Sequence, residues 1–291
     1  EMIKSNMTSI YLGFKVYRKY QSEDVVIFWT YLAGFIFAIL DLFKRKTNKD
    51  TKIIALHMLV IKVNLIKKTI IRLVSFLASL NPRLIVTVNS ESEKKSFSRD
   101  YFVDIKKVRV LPDSISDKTF HNFKKGDGRV FCGGDNSRDW KTFFKVVEMC
   151  PKIKFVAIAR KRNFNYFNII PNNCQMYFDT DSDFFYDTII KCSIVAIPLS
   201  SNFASGLIVI GKTAALSKPV IITETSCTVN YIENQVTGIL IGQNAQTEDW
   251  VREINVLSKD LDLQKDLATS FSNFMRLNHS QNEYAKKILK F

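Results

Sequence analysis

The feature that most constrains the fold is a series of short apolar runs rich in β-branched residues. Within each run, apolar residues follow one another instead of alternating with polar ones, which is typical of parallel strands covered on both faces. Stretches with helical periodicity lie between the runs, for example at 139–150, 182–192 and 206–217. This alternation predicts βαβ units and an α/β fold. The predicted strands are 24–29, 52–57, 84–89, 107–112, 129–134, 153–159, 174–178, 193–199, 219–223 and 238–241.

The distribution of charge divides the chain into two parts. Residues 1–125 carry 23 Lys and Arg against 11 Asp and Glu, a net charge of +12, whereas residues 126–291 carry 19 against 17. The balance changes within a polar segment at 112–128, which we interpret as a linker. The six strands of the second part suffice for a doubly wound domain, and the four of the first part predict an incomplete one. The remaining 45 residues, 247–291, are predicted to form two helices.

The cysteines and histidines argue against disulfide and metal chemistry. Five cysteines contain no close pair, and three histidines lie far apart, so a disulfide framework and a zinc site are excluded as the organising feature. Reduced thiols favour a cytoplasmic location. The chain opens with Glu1 and shows no signal-peptide pattern, so a cropped start is one interpretation.

One uncharged run, at residues 25–40, requires a test for membrane insertion. Its 16 residues fall short of the roughly 20 that a spanning helix needs, and Asp24 and Asp41 bound it closely. We interpret it as a buried strand followed by an apolar helix that ends near Phe43. A membrane span and a helix lying in the membrane interface are the alternatives.

Two glycine-containing segments follow predicted strands and suit a phosphate ligand. Ligands of open α/β sheets bind beyond the carboxyl ends of the strands, where helix N-termini offer free N–H groups. Gly133 and Gly134 follow the first strand of the second part, and Ser205 and Gly206 open a helix. Positive charge near them would come from Arg138, Arg160 and Lys212. For each residue, an ordinary turn or a solvated surface position is the alternative.

Residues 206–213 also match the phosphate-loop pattern G-x-x-x-x-G-K-[ST]. The four intervening residues are Leu, Ile, Val and Ile, and β-branched residues resist the positive φ angles that such a loop uses. A buried amphipathic helix explains these apolar residues better.

The order of motifs resembles that of GT-B glycosyltransferases, which have two Rossmann-like domains. The supporting segments are CGGDNSRDWKTF (132–143), CQMYFDT (174–180), SIVAIPL (193–199), SGLIVIGKTAALSKPVI (205–221) and TETSCTVNYIENQVTGILI (223–241). The resemblance implies an acceptor-side domain at 1–125, a nucleotide-sugar-binding domain at 126–279, and a helix at 280–291 that crosses back to the first domain. It also implies binding of the donor diphosphate at Ser205 and Gly206 without a metal or resident cofactor.

The chain departs from the family pattern at one important place. Many retaining members carry two glutamates eight positions apart, and Lys212 stands where the second would fall. Glu224 and Asn230 are nearby candidates for the contacts that those glutamates make. His57, at the end of a predicted strand, falls where a family histidine faces the donor sugar, and imidazole can transfer a proton near neutral pH. A core or capping histidine is the alternative.

The basic first part predicts an anionic partner. Residues 62–83 place Lys62, Lys68 and Arg72 among apolar residues, as in an amphipathic helix at an anionic bilayer. A packed helix with a solvated basic edge is the alternative, and the absence of RNP, KH and zinc-finger patterns disfavours nucleic acid.

The resemblance therefore implies transfer of a sugar from a nucleotide-diphosphate sugar to a hydroxyl group of a glycan or lipid-linked acceptor. Hexosyl transfer in polysaccharide biosynthesis, at the inner face of the membrane, is the expected setting. A non-catalytic GT-B-like binding subunit that docks on a membrane or a partner enzyme is the second hypothesis, and a nucleotide-sugar epimerase is the third.

Overall fold

The computed structural model describes residues 2–20, 25–43, 50–56, 65–116, 120–166, 170–202 and 204–291. The chain divides into two compact units. The first unit comprises Glu1–Pro112 and Ala285–Phe291, and the second comprises Asp113–Tyr284. The boundary lies at the first residue of the predicted linker, while the assignment of acceptor and donor roles to the two parts stays a prediction.

The first unit contains a parallel four-stranded sheet in the order β1-β2-β3-β4. Apolar residues of the second helix, including Phe35 and Phe37, pack on the buried strand residues Ile53 and Val86. The elements are α1 (Met2–Lys19), β1 (Val25–Phe28), α2 (Tyr31–Phe43), β2 (Lys52–Ala55), α3 (Leu65–Ser79), β3 (Leu84–Val88), α4 (Glu91–Tyr101) and β4 (Val108–Val110).

The second unit contains a parallel six-stranded sheet in the order β10-β9-β8-β5-β6-β7. The strand order reverses between β5 and β8, which is the switch point of a doubly wound sheet. The elements are β5 (Val130–Gly133), α5 (Trp140–Met149), β6 (Phe155–Ala159), β7 (Cys174–Phe178), α6 (Ser182–Lys191), β8 (Ile194–Ile197), α7 (Leu207–Ala215), β9 (Val220–Thr223), β10 (Ile239–Ile241), α8 (Thr247–Lys259), α9 (Leu261–His279) and α10 (Gln281–Lys290). Helix α10 begins in this unit and ends in the first.

The continuous apolar runs are explained by burial on both faces of this sheet. Val130 and Cys132 of β5 pack in one hydrophobic cluster with Trp140 and Phe144, whereas Phe131 packs in the other with Phe271. Since successive strand residues point to opposite faces, a strand covered on both sides must be apolar at every position.

Aspartates at loop ends start several helices. Asp139 accepts a hydrogen bond from the Thr142 N–H (3.0 Å) at the start of α5, and Asp181 accepts one from the Phe184 N–H (2.7 Å) at the start of α6. Side-chain caps of this kind satisfy N–H groups that have no acceptor within the helix. The two caps fix where both helices begin, next to the carboxyl ends of β5 and β7.

Each of the ten predicted strands overlaps an observed strand, so the α/β prediction is confirmed. The prediction of two helices at 247–291 was wrong, because Asp260 and Ser280 interrupt the segment and three helices result. Residues 25–40 form β1 and most of α2, as predicted, and no described helix is long and apolar enough to cross a membrane. The phosphate-loop alternative is also excluded, since Leu207–Ile210 already lie within α7.

Candidate functional site

The candidate site lies at the switch point of the second unit, beyond the carboxyl ends of β5 and β8. The loop after β5 and the loop after β8 are joined there by backbone hydrogen bonds. The N–H of Asp139 donates to the Pro198 carbonyl (3.0 Å), and the N–H of Ser200 donates to the Ser137 carbonyl (2.9 Å). These bonds hold the loop containing Gly134 against the loop that leads into α7.

Two glycines with positive φ line this junction. Gly134 has a φ of 115° and Gly206, the N-cap residue of α7, has a φ of 78°. A Cβ atom at Gly134 would collide with the Arg138 guanidinium, and one at Gly206 would lie 3.6 Å from Arg138 Nη1. The guanidinium therefore lies beside both glycines, which leave it uncovered by side chains of their own.

Arg138 is a buried cation without a carboxylate partner. Its Nε donates to the Gly133 carbonyl (2.7 Å) and its Nη1 to the Asn136 carbonyl (3.2 Å), and only 8% of the residue is exposed. No Asp or Glu of the described ranges lies within 4.0 Å of it, although Asp135 is near enough to act electrostatically. Burial lowers the pKa of Arg138 from its ordinary 12.5, but the group remains protonated at neutral pH. A buried, unneutralised guanidinium of this kind favours an anionic ligand.

The start of α7 adds hydrogen-bond donors to the same place. The first N–H groups of a helix have no acceptor within it and carry partial positive charge. The Ser205 hydroxyl donates to the Asn136 carbonyl (2.6 Å), so it ties the start of α7 to the loop after β5. The N-terminus of α7, Arg138 and both glycines are thus assembled as one positively charged corner.

Lys212 lies on α7 and reaches toward the start of α6. Its Nζ lies 3.2 Å from the Ser182 hydroxyl oxygen, and above the rings of Phe185 (5.0 Å) and Tyr186 (4.6 Å). Burial lowers the pKa of Lys212, and the negative charge of Asp183 opposes that shift. A Cβ atom at Gly133 would lie 2.9 Å from the Phe185 ring, so a single aromatic ring separates Lys212 from the Gly133 turn.

Arg160 follows β6, whose Ile158 pairs with Gly133 of β5. Its guanidinium is exposed and lies 4.0 Å from the Asp179 carboxylate, which also accepts a hydrogen bond from the Lys161 N–H (3.3 Å). Arg160 is therefore one strand away from the Gly134 corner and partly neutralised.

Glu224 and Asn230 lie on the other side of the switch point. Glu224 follows β9 with its side chain exposed, and its N–H donates to the Ile241 carbonyl (2.7 Å). The Asn230 side-chain amide donates to the Ser226 carbonyl (3.4 Å), and the backbone carbonyl oxygen of Asn230 lies 3.0 Å from His279 Nε2. The structure does not join either residue by a hydrogen bond to Arg138 or Lys212. His57 lies outside the described residues, so its role stays a prediction.

Ser201 and Arg162 lie near this corner but were not predicted from the sequence. Ser201 follows β8, and its hydroxyl oxygen is buried without a hydrogen-bond partner. Arg162 lies 3.9 Å from Asp135, in the loop that contains Gly134. Neither position has a distinctive sequence pattern; the short Arg-Lys-Arg run at 160–162 was the available signal for Arg162. No group of three or more potential metal ligands occurs within the described ranges.

Comparison with known proteins identifies the fold. The sequence matches no protein-family model, and no curated protein is similar to it. Solved structures do match. Anabaena HepE in complex with UDP has a TM-score of 0.76 at 12% identity, over 97% of this chain and 80% of HepE. A Rickettsia africae glycosyltransferase has a TM-score of 0.72 at 16% identity, over 98% and 80% of the two chains.

Sucrose-phosphate synthase from Thermosynechococcus elongatus is a third match, with a TM-score of 0.69 at 12% identity, over 91% and 72% of the two chains. These neighbours are GT-B glycosyltransferases, and the chain has the GT-B fold that its motif order predicted.

Proposed function

We propose that this chain is a glycosyltransferase that moves a sugar from a nucleotide-diphosphate sugar to a hydroxyl group of a glycan or lipid-linked acceptor. The observation that carries the proposal is the buried Arg138 cation, which lies beside Gly134 and Gly206 at the start of α7 and within 4.0 Å of no carboxylate of the described residues. The fold supports the same activity, since HepE of the same fold was solved with UDP and with UDP-glucose.

In the proposed reaction, the donor diphosphate binds against the first turn of α7. The acceptor hydroxyl oxygen forms a bond to the anomeric carbon while the bond from that carbon to the diphosphate oxygen breaks. Negative charge develops on the departing diphosphate, and preorganised positive groups stabilise it more in the transition state than in the bound donor. Arg138 and the α7 N–H groups supply this charge without a metal, and a base accepts the hydroxyl proton.

Lys212 has a role distinct from that of Arg138 in the proposed reaction. Its ammonium group lies at the edge of the corner, against Ser182 and two aromatic rings, where it would contact the nucleotide rather than the scissile bond. Removal of Lys212 is therefore expected to weaken donor binding more than it slows the chemical step. Glu224, Asn230 and Arg160 are proposed to contribute at the rim of the donor site, and His57 to face the sugar.

Thermal stability in the presence of nucleotides tests the donor site. A ligand that binds only the folded protein adds about 2.7 kcal/mol of stability at 100 times its dissociation constant. UDP, other nucleoside diphosphates and their sugars are titrated against the wild type and against Lys212→Ala, Arg138→Gln and Arg138→Lys. Lys265→Ala is the control, because Lys265 is an exposed lysine on α9. We expect a selective shift that Arg138→Gln abolishes, that Lys212→Ala reduces, and that the control retains. The absence of a shift with every nucleotide would refute the donor site.

The second function is a non-catalytic nucleotide-sugar-binding subunit. The specific observation in its favour is Lys212, which stands where many retaining members of this fold carry a glutamate. Donor binding without release of nucleotide diphosphate, in the presence of a panel of glycan and lipid-linked acceptors, would favour the subunit. Turnover that Arg138→Gln abolishes would favour the enzyme. We propose a cytoplasmic location for either function.

A further inference from the structure

Helix α3 of the first unit exposes a row of large apolar side chains on the side away from the core. Its side toward the core carries Ser75 and Ala78, which are fully buried, and Ile71 and Val74, which pack against the core. Its outer side carries large apolar side chains that protrude from the protein, with Ile66 73% and Leu73 59% exposed. The outer apolar residues, which we call the α3 ridge, are Leu65, Ile66, Ile70, Leu73 and Phe76 of the helix, together with Leu80, which directly follows it.

The α3 ridge is continuous in space as well as in sequence. At 3.6 residues per turn, its members fall within about 140° of the helix circumference, so they form one stripe. Two further apolar residues, Phe102 and Ile105, are exposed after α4, and Phe102 lies beside Arg72 of α3. Arg72 of α3 lies 5.4 Å from the Phe102 ring and donates to the Asp100 carbonyl (2.7 Å), and these contacts hold the Phe102 segment against the helix. Exposed apolar patches of this extent mark interaction sites.

Positive charge surrounds the α3 ridge. Lys68 and Arg72 of α3 are partly exposed, and Lys106 is exposed next to Ile105. Within the described ranges, none of these three cations lies within 4.0 Å of a carboxylate. Asp104, which caps the short 3-10 helix at 105–107, is the exposed acidic group nearest to Ile105 in sequence. Residues 1–125 as a whole carry a net charge of +12.

We propose that the α3 ridge docks on the surface of an anionic lipid bilayer. The apolar side chains would enter the boundary between headgroups and acyl chains, and the flanking lysine and arginine residues would bind the anionic headgroups. Helix α3 has 15 residues and is about 22 Å long, so it lies on the bilayer rather than spanning it. Charge complementarity favours this occupant over a second copy of the chain, whose equally basic surface would be repelled.

The proposal rests on the first unit alone and does not depend on the donor site. It is tested by flotation of the full chain with vesicles of pure phosphatidylcholine and with vesicles that also contain phosphatidylglycerol. The test variant is Ile70→Ser/Leu73→Ser, which removes two exposed side chains from the α3 ridge. The matched control is Leu277→Ser/Leu289→Ser, since both leucines are 71% exposed and lie on α9 and α10. Thermal melting and UDP titration show that each variant folds and retains its second unit.

We expect the wild type and the control to bind the anionic vesicles, in a manner that high salt weakens. Binding of the Ile70→Ser/Leu73→Ser variant should be at least roughly tenfold weaker, because two apolar groups no longer enter the bilayer. Equal binding of both variants, or no wild-type binding to anionic vesicles, would overturn the proposal. Light scattering measures whether the chain self-associates. If the wild type does not bind vesicles but self-associates, and only the α3 variant abolishes that self-association, the α3 ridge would bind a second copy of the chain instead.

Discussion

Three glycine-to-alanine substitutions distinguish the cost of backbone strain from the cost of displacing the Arg138 guanidinium, which occupies the space beside Gly134. Gly128, Gly134 and Gly206 all have positive φ, at 90°, 115° and 78°. A Cβ atom at Gly128 would meet nothing within 4 Å, and one at Gly206 would meet only ordinary contacts. A Cβ atom at Gly134 would overlap the Arg138 guanidinium. The three variants therefore share one kind of strain, but only Gly134→Ala also displaces a buried charge.

The expected losses of stability differ by more than the experimental error. A left-handed backbone costs an alanine about 1–2 kcal/mol, so Gly128→Ala and Gly206→Ala should each lose about that much. Gly134→Ala should lose at least one charge-assisted hydrogen bond of Arg138 in addition, worth about 1.5–3 kcal/mol. The total for Gly134→Ala is thus about 2.5–5 kcal/mol, which is the sum of the two effects.

Urea unfolding followed by tryptophan fluorescence measures these losses in the second unit. Of the three tryptophans, Trp140 and Trp250 are buried in that unit, and Trp29 of the first unit can be replaced by phenylalanine in every variant. UDP binding is then measured on the folded variants. We expect Gly128→Ala to bind as the wild type does, and Gly134→Ala to bind far more weakly. Equal destabilisation by Gly134→Ala and Gly128→Ala, with unchanged binding, would refute the role assigned to the Arg138 position.

Three further predictions concern buried ionisable groups. Burial raises the pKa of three thiols to about 12, so these cysteines should be unreactive toward a disulfide reagent at pH 8 until urea unfolds the chain; they are Cys132, Cys174 and Cys192. Asp41→Ala should cost the first unit about 3–5 kcal/mol in thermal or urea unfolding, because the buried Arg83 loses its carboxylate partner; a loss below 1 kcal/mol would contradict a buried ion pair. Burial lowers the pKa of Lys218 below its ordinary 10.5, so the unfolded chain binds more protons and the contribution of this lysine to stability rises with pH toward that value. Unfolding of Lys218→Met should lack this rise when compared with the wild type across the same pH range, and identical pH profiles would show that Lys218 is not desolvated.

The strands and their alternation with helices could be predicted from the sequence, because burial on both faces makes every residue of a central strand apolar. Phe131 and its neighbours in β5 are apolar at every position, and the same holds for the other central strands. The helix starts were partly predictable, since Asp139 and Asp181 are good capping residues at the ends of loops. The number of helices after residue 247 was not, because Asp260 and Ser280 interrupt a pattern whose periodicity runs on across them.

The sequence could predict that the site consists of glycines and basic residues near the carboxyl ends of strands. What their side chains do depends on contacts between segments far apart in the chain. Ser205 donates to Asn136 across 69 residues, and Lys212 lies against Ser182 on another helix. Arg138 is buried beside Gly206 only because strands β5 and β8, distant in sequence, are neighbours in the sheet.

The sequence by itself determined the fold class, the positions of the strands and the basic character of the first 125 residues, since each depends on local pattern or on a sum over residues. Only the tertiary structure decided that Arg138 lies within 4.0 Å of no carboxylate of the described ranges and that the side chains of the α3 ridge are exposed. Both depend on which segments of the chain become neighbours when the strands assemble into a sheet. Pairing of distant strands sets that order, and hydrophobic periodicity within one segment carries no information about it.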